Sequence, residues 1–128
     1  MDIENLTSEL KMDDLFFPEC FIKREREIQS EKLNIDINRN VVKVSEAEYD
    51  VTVKVTIDKP SKDLEAIVVA KARFSIDDIS PQQAERMLCQ NTVAIMFPFI
   101  RSQISLMTTQ PGLTPVVLPP INTTKFID

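Results

Sequence analysis

Residues 49–76 read YDVTVKVTIDKPSKDLEAIVVAKARFSI, and two alternating runs within them decide the fold. In the first run, Tyr49, Val51, Val53, Val55 and Ile57 point one way, and Asp50, Thr52, Lys54 and Thr56 point the other. A period of two carried by β-branched residues predicts a half-buried strand. Asp58-Lys59-Pro60-Ser61 predicts a turn, because proline removes a donor and presets its own backbone. In the second run, Val68, Ala70, Ala72, Phe74 and Ile76 share a face opposite Lys71, Arg73 and Ser75. Two such strands joined by a short polar loop form an antiparallel hairpin.

Upstream, Leu33, Ile35 and Ile37 alternate, which predicts one strand from Leu33 to Ile37. The polar triplet Asn38-Arg39-Asn40 reads as an interruption, followed by a loose connection through Val41, Val42 and Val44 to Tyr49. Earlier still, Leu6, Leu10 and Met12 alternate until Leu15-Phe16-Phe17 breaks the phase. Such a break predicts a bulge or a strand end. The charged run Lys23 to Glu27 reads as a solvated strand or loop.

Downstream the period changes. Ser80-Pro81-Gln82-Gln83 has the make-up of a capping box, with a serine cap, proline at the first helical position and glutamine at the third. Val93, Phe97, Ile100, Ile104 and Met107 then recur at helical spacing, with Met96, Phe99 and Leu106 on an adjoining stripe. A helix apolar on two sides needs two partners: its own sheet and something else. Pro98 predicts a kink or a break, and Pro111-Gly112 predicts the end of the helix. The segment Leu113 to Ile121 is apolar but carries Pro115, Pro119 and Pro120. It must be extended, and it must lie against something.

Composition removes whole classes of function. The chain has 128 residues, 20 Asp+Glu against 15 Lys+Arg, and a net charge of -5. An acidic balance argues against nucleic acid and against an anionic membrane surface. With no histidine, imidazole catalysis and His-ligated metals fall away. With one glycine, Gly112, neither a Walker loop nor a GxGxxG turn can form. Cys20 and Cys89 make no CxxC pair and read as free, buried thiols of a reducing compartment. No targeting segment is visible from Met1 to Leu10, and the uncharged stretch Ser102 to Thr124 holds too many prolines for a membrane helix. A cytoplasmic protein is the expectation.

Candidate sites are few. Asp77-Asp78 reads as loop acids near a helix start rather than a metal site. Asp13-Asp14 is a polar turn or an electrostatic docking point. Ser102, Ser105 and Cys89 have no histidine to activate them and no oxyanion turn. The methionines and phenylalanines of the helix either pack a core or form a plastic binding surface. Residue pattern alone thus stops at a non-enzymatic α+β domain without cofactor or metal, assembled with copies of itself.

Phe97-Pro98-Phe99-Ile100-Arg101, followed by Leu113-Thr114-Pro115-Val116-Val117-Leu118-Pro119-Pro120-Ile121-Asn122, resembles the SecB family of protein-export chaperones. That family carries a Phe-Pro-Tyr-x-Arg motif in its long helix and then a loop of the type FPPLNLAPVNF. Arg101 falls on the motif's arginine, and Phe99 stands where tyrosine is usual. The strand from Tyr49 to Ile57 is similar to the family's YEVVLRVTV, and Phe74-Ser75-Ile76 to its FSI.

The resemblance implies one domain over 1–128: an antiparallel sheet over 6–76, a long helix over 80–109, and a Pro-rich connection with a short C-terminal segment over 111–128. It implies a four-stranded antiparallel sheet backed by a long helix and assembled as a homotetramer, a dimer of dimers. It implies an ATP-independent holdase for unfolded or precursor polypeptides, coupled to the export motor SecA. The client-binding residues expected are Met96, Phe97, Leu113, Val116, Val117, Leu118 and Ile121. Val93, Phe99, Ile100, Ile104 and Met107 are expected at the oligomer interface. Of the acidic motor-docking patch only Asp14 aligns, apolar Ile67 and Val68 stand near another of its positions, and the basic C-terminal tail is nearly absent, so weak SecA coupling is expected. A dedicated adaptor, or a toxin–antitoxin partner, is the alternative role.

Overall fold

The computed structural model describes residues 10–25, 32–76 and 87–121. Four strands, β1 (Leu10–Arg24), β2 (Asn34–Lys43), β3 (Glu48–Asp58) and β4 (Leu64–Ile76), form one antiparallel sheet in the order β1-β4-β3-β2. A short π-helical stretch, Met87–Asn91, leads into α1, Thr92–Thr108. The helix lies over β4, with further contacts to β1 and β3.

The hairpin is as its alternation predicts. Val51, Val53, Val55 and Ile57 of β3 and Ala66, Val68, Ala70, Ala72 and Phe74 of β4 are buried on the helix side. Val93, Met96, Phe97, Ile100 and Ile104 of α1 close that core, together with Leu118. The turn between the strands is tighter than its proline announces. The amide of Lys62 donates to the Lys59 carbonyl, and Lys62 adopts φ of 64°, a left-handed conformation that costs a residue with a Cβ.

The upstream expectations need correction. β2 does not end at Ile37; it runs through Asn38-Arg39-Asn40 to Lys43, paired with β3 without a register shift. Asn38 and Asn40 face solvent opposite Lys54 and Thr52, where polar side chains suit the outer face. β1 does carry the expected irregularities, with shifts between Met12 and Asp14 and between Phe16 and Glu19. The second lies where Pro18 sits, as befits an edge strand that cannot offer every donor.

The helix also differs from expectation. The Ser80 capping box lies outside the described residues. Among those described, the helix begins irregularly, and the Thr92 hydroxyl donates to the Leu88 carbonyl at 2.6 Å where the π turn meets α1. Pro98 does not break α1 into two pieces. The carbonyl it deprives of a partner belongs to Ala94, and both residues are exposed, so water can satisfy it. Cys20 is exposed rather than buried. The side chain of Cys89 lies outside the described set.

Candidate functional site: the helix flank and its extended segment

After α1 the chain reverses at once. The Leu113 amide donates to the Gln110 carbonyl at 3.0 Å, and Gly112 has φ of 79°. Proline then glycine in the middle of such a turn is what a type II reversal demands. Residues 113–121 return along the helix in extended form. Beyond the single bridge of Gln110 to Leu113, they join no strand.

Helix side chains take over the work of a sheet ladder. Arg101 donates from Nε to the Leu118 carbonyl at 2.9 Å. Ser105 donates from Oγ to the Val116 carbonyl at 2.9 Å. The Val116 amide donates to Oγ1 of Thr108 at 2.8 Å, and that hydroxyl donates back to the Ile104 carbonyl. Spacings of four and three put Arg101, Ser105 and Thr108 on one flank of α1. These bonds satisfy backbone groups that would otherwise be costly to hold against an apolar surface.

Side chains of the segment alternate. Leu118 is 1% exposed and enters the core, Val116 and Ile121 are partly buried against it, and Val117 is 69% exposed. Val117 borders a groove of about 490 Å³ with Pro98, Arg101, Ser102 and Ser105.

The residues expected to bind clients therefore separate. Met96, Phe97 and Leu118 are buried in the protomer's own core; Leu113, Val116 and Ile121 are half-buried; Val117 is open. The expected oligomer residues separate too. Val93, Ile100 and Ile104 are fully buried beneath α1 and cannot also meet a second copy. Met107 is half-buried. Phe99 and Leu106 are 47% and 69% exposed and share an outward flank with half-buried Ile95. Met96 belongs to the core face, not to the stripe of Phe99 and Leu106.

The sheet's outer face holds the other expected position. Asp14 is exposed and pairs in register with Arg73, which donates to Asp50 from Nε at 2.9 Å and from Nη2 at 3.1 Å. These bonds hold the Asp50 carboxyl below its ordinary value of 3.8, against a smaller opposing effect of desolvation. Asp14, Phe16, Asn40, Val42, Asp50, Lys71 and Arg73 line a concavity of about 700 Å³. Two cations and two carboxylates share it, so it is not an acidic patch.

Two further contacts, beyond those of the segment and of Arg73, have no announcement in the sequence. Arg24, read as part of a solvated charge run, donates from Nη1 to the Thr108 carbonyl at the helix end. Gln103 donates to Sγ of Cys20 at 3.6 Å, on the flank away from the extended segment. Neither has a local signal, since the partners lie more than 80 residues apart.

No described helix is long and apolar enough to cross a membrane. The family description "Preprotein translocase subunit SecB" matches residues 9–126. The chain is 31% identical over 108 residues to the protein-export protein SecB of Dechloromonas aromatica, covering 82% of this chain and 68% of that protein. It is 29% identical to protein-export protein SecB 2 of Francisella tularensis subsp. novicida, covering 91% of this chain and 78% of that one. Among solved structures, it is similar to a Mycobacterium tuberculosis SecB-like chaperone in complex with a ChAD peptide from the HigA1 antitoxin. The TM-score is 0.71 at 13% identity, over 92% of this chain and 91% of that one. Sheet order, helix placement and a match across nearly the whole length agree: this chain belongs to the SecB family.

Proposed function

We propose that this protein is an ATP-independent holdase of the cytoplasm, acting without cofactor or catalysis on unfolded or precursor polypeptides bound for export. The observation that carries this reading is the apolar segment Leu113–Ile121, held extended along α1 with Val117 open beside a groove. An unfolded chain seated against this flank of α1 gains roughly 25 cal/mol per Å² of apolar surface buried. The family's description as a preprotein translocase subunit supports the export role.

The whole chain acts as one unit and assembles as a homotetramer, a dimer of dimers. The outward flank of Ile95, Phe99 and Leu106, with Met107 at its margin, supports this, because monomers rarely leave such stripes bare. Coupling to SecA is weak. Asp14 faces Arg73, and that guanidinium offsets the field of the carboxylates around it.

The test is suppression of aggregation for several unrelated unfolded proteins at substoichiometric and equal ratios. Protection of many supports the holdase. Protection of one client alone supports a dedicated adaptor, the reading favoured by the fold's likeness to a chaperone solved with an antitoxin peptide. Protection of none sinks both.

A further inference from the structure

The flank of α1 that holds residues 116–118 has the make-up of a binding surface for an extended peptide. Its three bonds to the segment all go to main-chain atoms: the Leu118 carbonyl, the Val116 carbonyl and the Val116 amide. None reads side-chain identity. Specificity is left to two inward positions, Val116 and Leu118, two residues apart, while Val117 between them points out. Any extended stretch with apolar residues at those two positions and no proline at the first can satisfy the same groups.

Exchange of one such stretch for another is close to balanced. Three hydrogen bonds are released and three re-formed, and the buried apolar area is similar on both sides. Occupancy is then decided by local concentration. The four-residue turn at Gln110–Leu113 tethers the chain's own segment at an effective concentration of about millimolar, so a short free peptide competes poorly. A polypeptide already held elsewhere on the protein does not suffer that handicap.

We propose that residues 116–118 are an intramolecular stand-in, seated in a site on the Arg101–Ser105–Thr108 flank that takes an extended client segment with apolar residues two apart. The inference rests on the holdase reading and deepens it. The client strand enters by displacing the chain's own, not by lying on top of it.

Hydrogen–deuterium exchange on the unmutated protein tests displacement directly. With saturating unfolded client, amides of residues 113–121 are expected to exchange about threefold or more faster, while residues 101–108 stay protected. Unchanged or greater protection of 113–121 in the client complex overturns the proposal and leaves the holdase reading standing. A second arm needs no client. A labelled peptide copying residues 112–121 is titrated onto the unmutated protein and onto Leu118→Ala, with folding checked by circular dichroism. Emptying the inward site weakens the tethered competitor, so the folded variant is expected to bind the peptide about tenfold tighter. A control peptide with aspartate at both inward positions is expected not to bind. Equal affinity of both proteins for the peptide overturns the proposal even if no client is ever protected. Should Leu118→Ala fail to fold, the first arm decides.

Discussion

Arg101 and Leu118, 17 residues apart, are joined by one hydrogen bond of 2.9 Å from the guanidinium Nε to a main-chain carbonyl. Arg101 is half-buried, and its bond lands on the residue whose side chain is the segment's deepest anchor. Removing a charged donor from a carbonyl costs more than removing a neutral one. Arg101→Gln is expected to lower stability by about 1–2 kcal/mol in urea unfolding, with the fold retained. Arg101→Lys should not restore it, since a lysine ammonium does not reproduce the planar Nε donor. Full stability in Arg101→Gln would show that the bond contributes nothing.

Val117 and Leu118 are neighbours with opposite fates. Leu118→Asp places a charge in the core and is expected to cost about 3 kcal/mol or more, enough to abolish a cooperative melt in a marginal protomer. Val117→Asp should leave the melt within about 0.5 kcal/mol of the unmutated protein, because that side chain already faces solvent. If both variants melt alike, the alternation of the segment is wrong.

Phe99 and Leu106 are expected to carry assembly. Phe99→Glu with Leu106→Glu adds charge to an outward flank, so the protomer should stay folded by circular dichroism. Its mass by light scattering should fall below that of a tetramer. An unchanged mass means that another surface holds the copies together.

Asp50 binds a proton less readily in the folded chain than in the unfolded one, chiefly because Arg73 donates to it. A carboxyl lowered in this way adds stability above its ordinary value of 3.8 and loses it as pH falls through the lower folded value. The melting temperature of Asp50→Asn should therefore trail the unmutated protein by a constant small margin above about pH 5 and converge on it as the pH falls through the lowered folded value. The margin should also shrink in high salt, because the pair is exposed. A margin that widened on acidification would contradict the pairing.

The sheet was legible where a strand is half-buried and β-branched, as at Val51 to Ile57 and Val68 to Ile76. It was misread at Asn38-Arg39-Asn40, where the outer face carries asparagine and the ladder with β3 supplies continuity that no local pattern shows. The phase break at Leu15-Phe16-Phe17 correctly announced irregularity in β1. Along the helix, apolar spacing found the core positions but not which of them face out. Apolar spacing alone puts Met96 and Phe99 on one stripe, yet three residues turn the helix by about 300°, which carries Phe99 off the core face. The family motif pointed to Arg101 without its partner. The carbonyl of Leu118 became visible only once helix and segment were seen side by side.

Gly112 is the only glycine in the chain, and it sits at the hinge of the reversal that aims residues 113–121 along the helix. Because that segment alternates, its connector acts as a counter. One residue inserted after Gly112 would advance the strand by about 3.3 Å and bring what was turned to solvent inward. Val117 would seek the core, and Leu118 would be stranded outside. Two inserted residues would restore the parity and shift only the register. Length variation here should thus be tolerated in even steps, so that the size of this small turn governs which side chains the surface can offer.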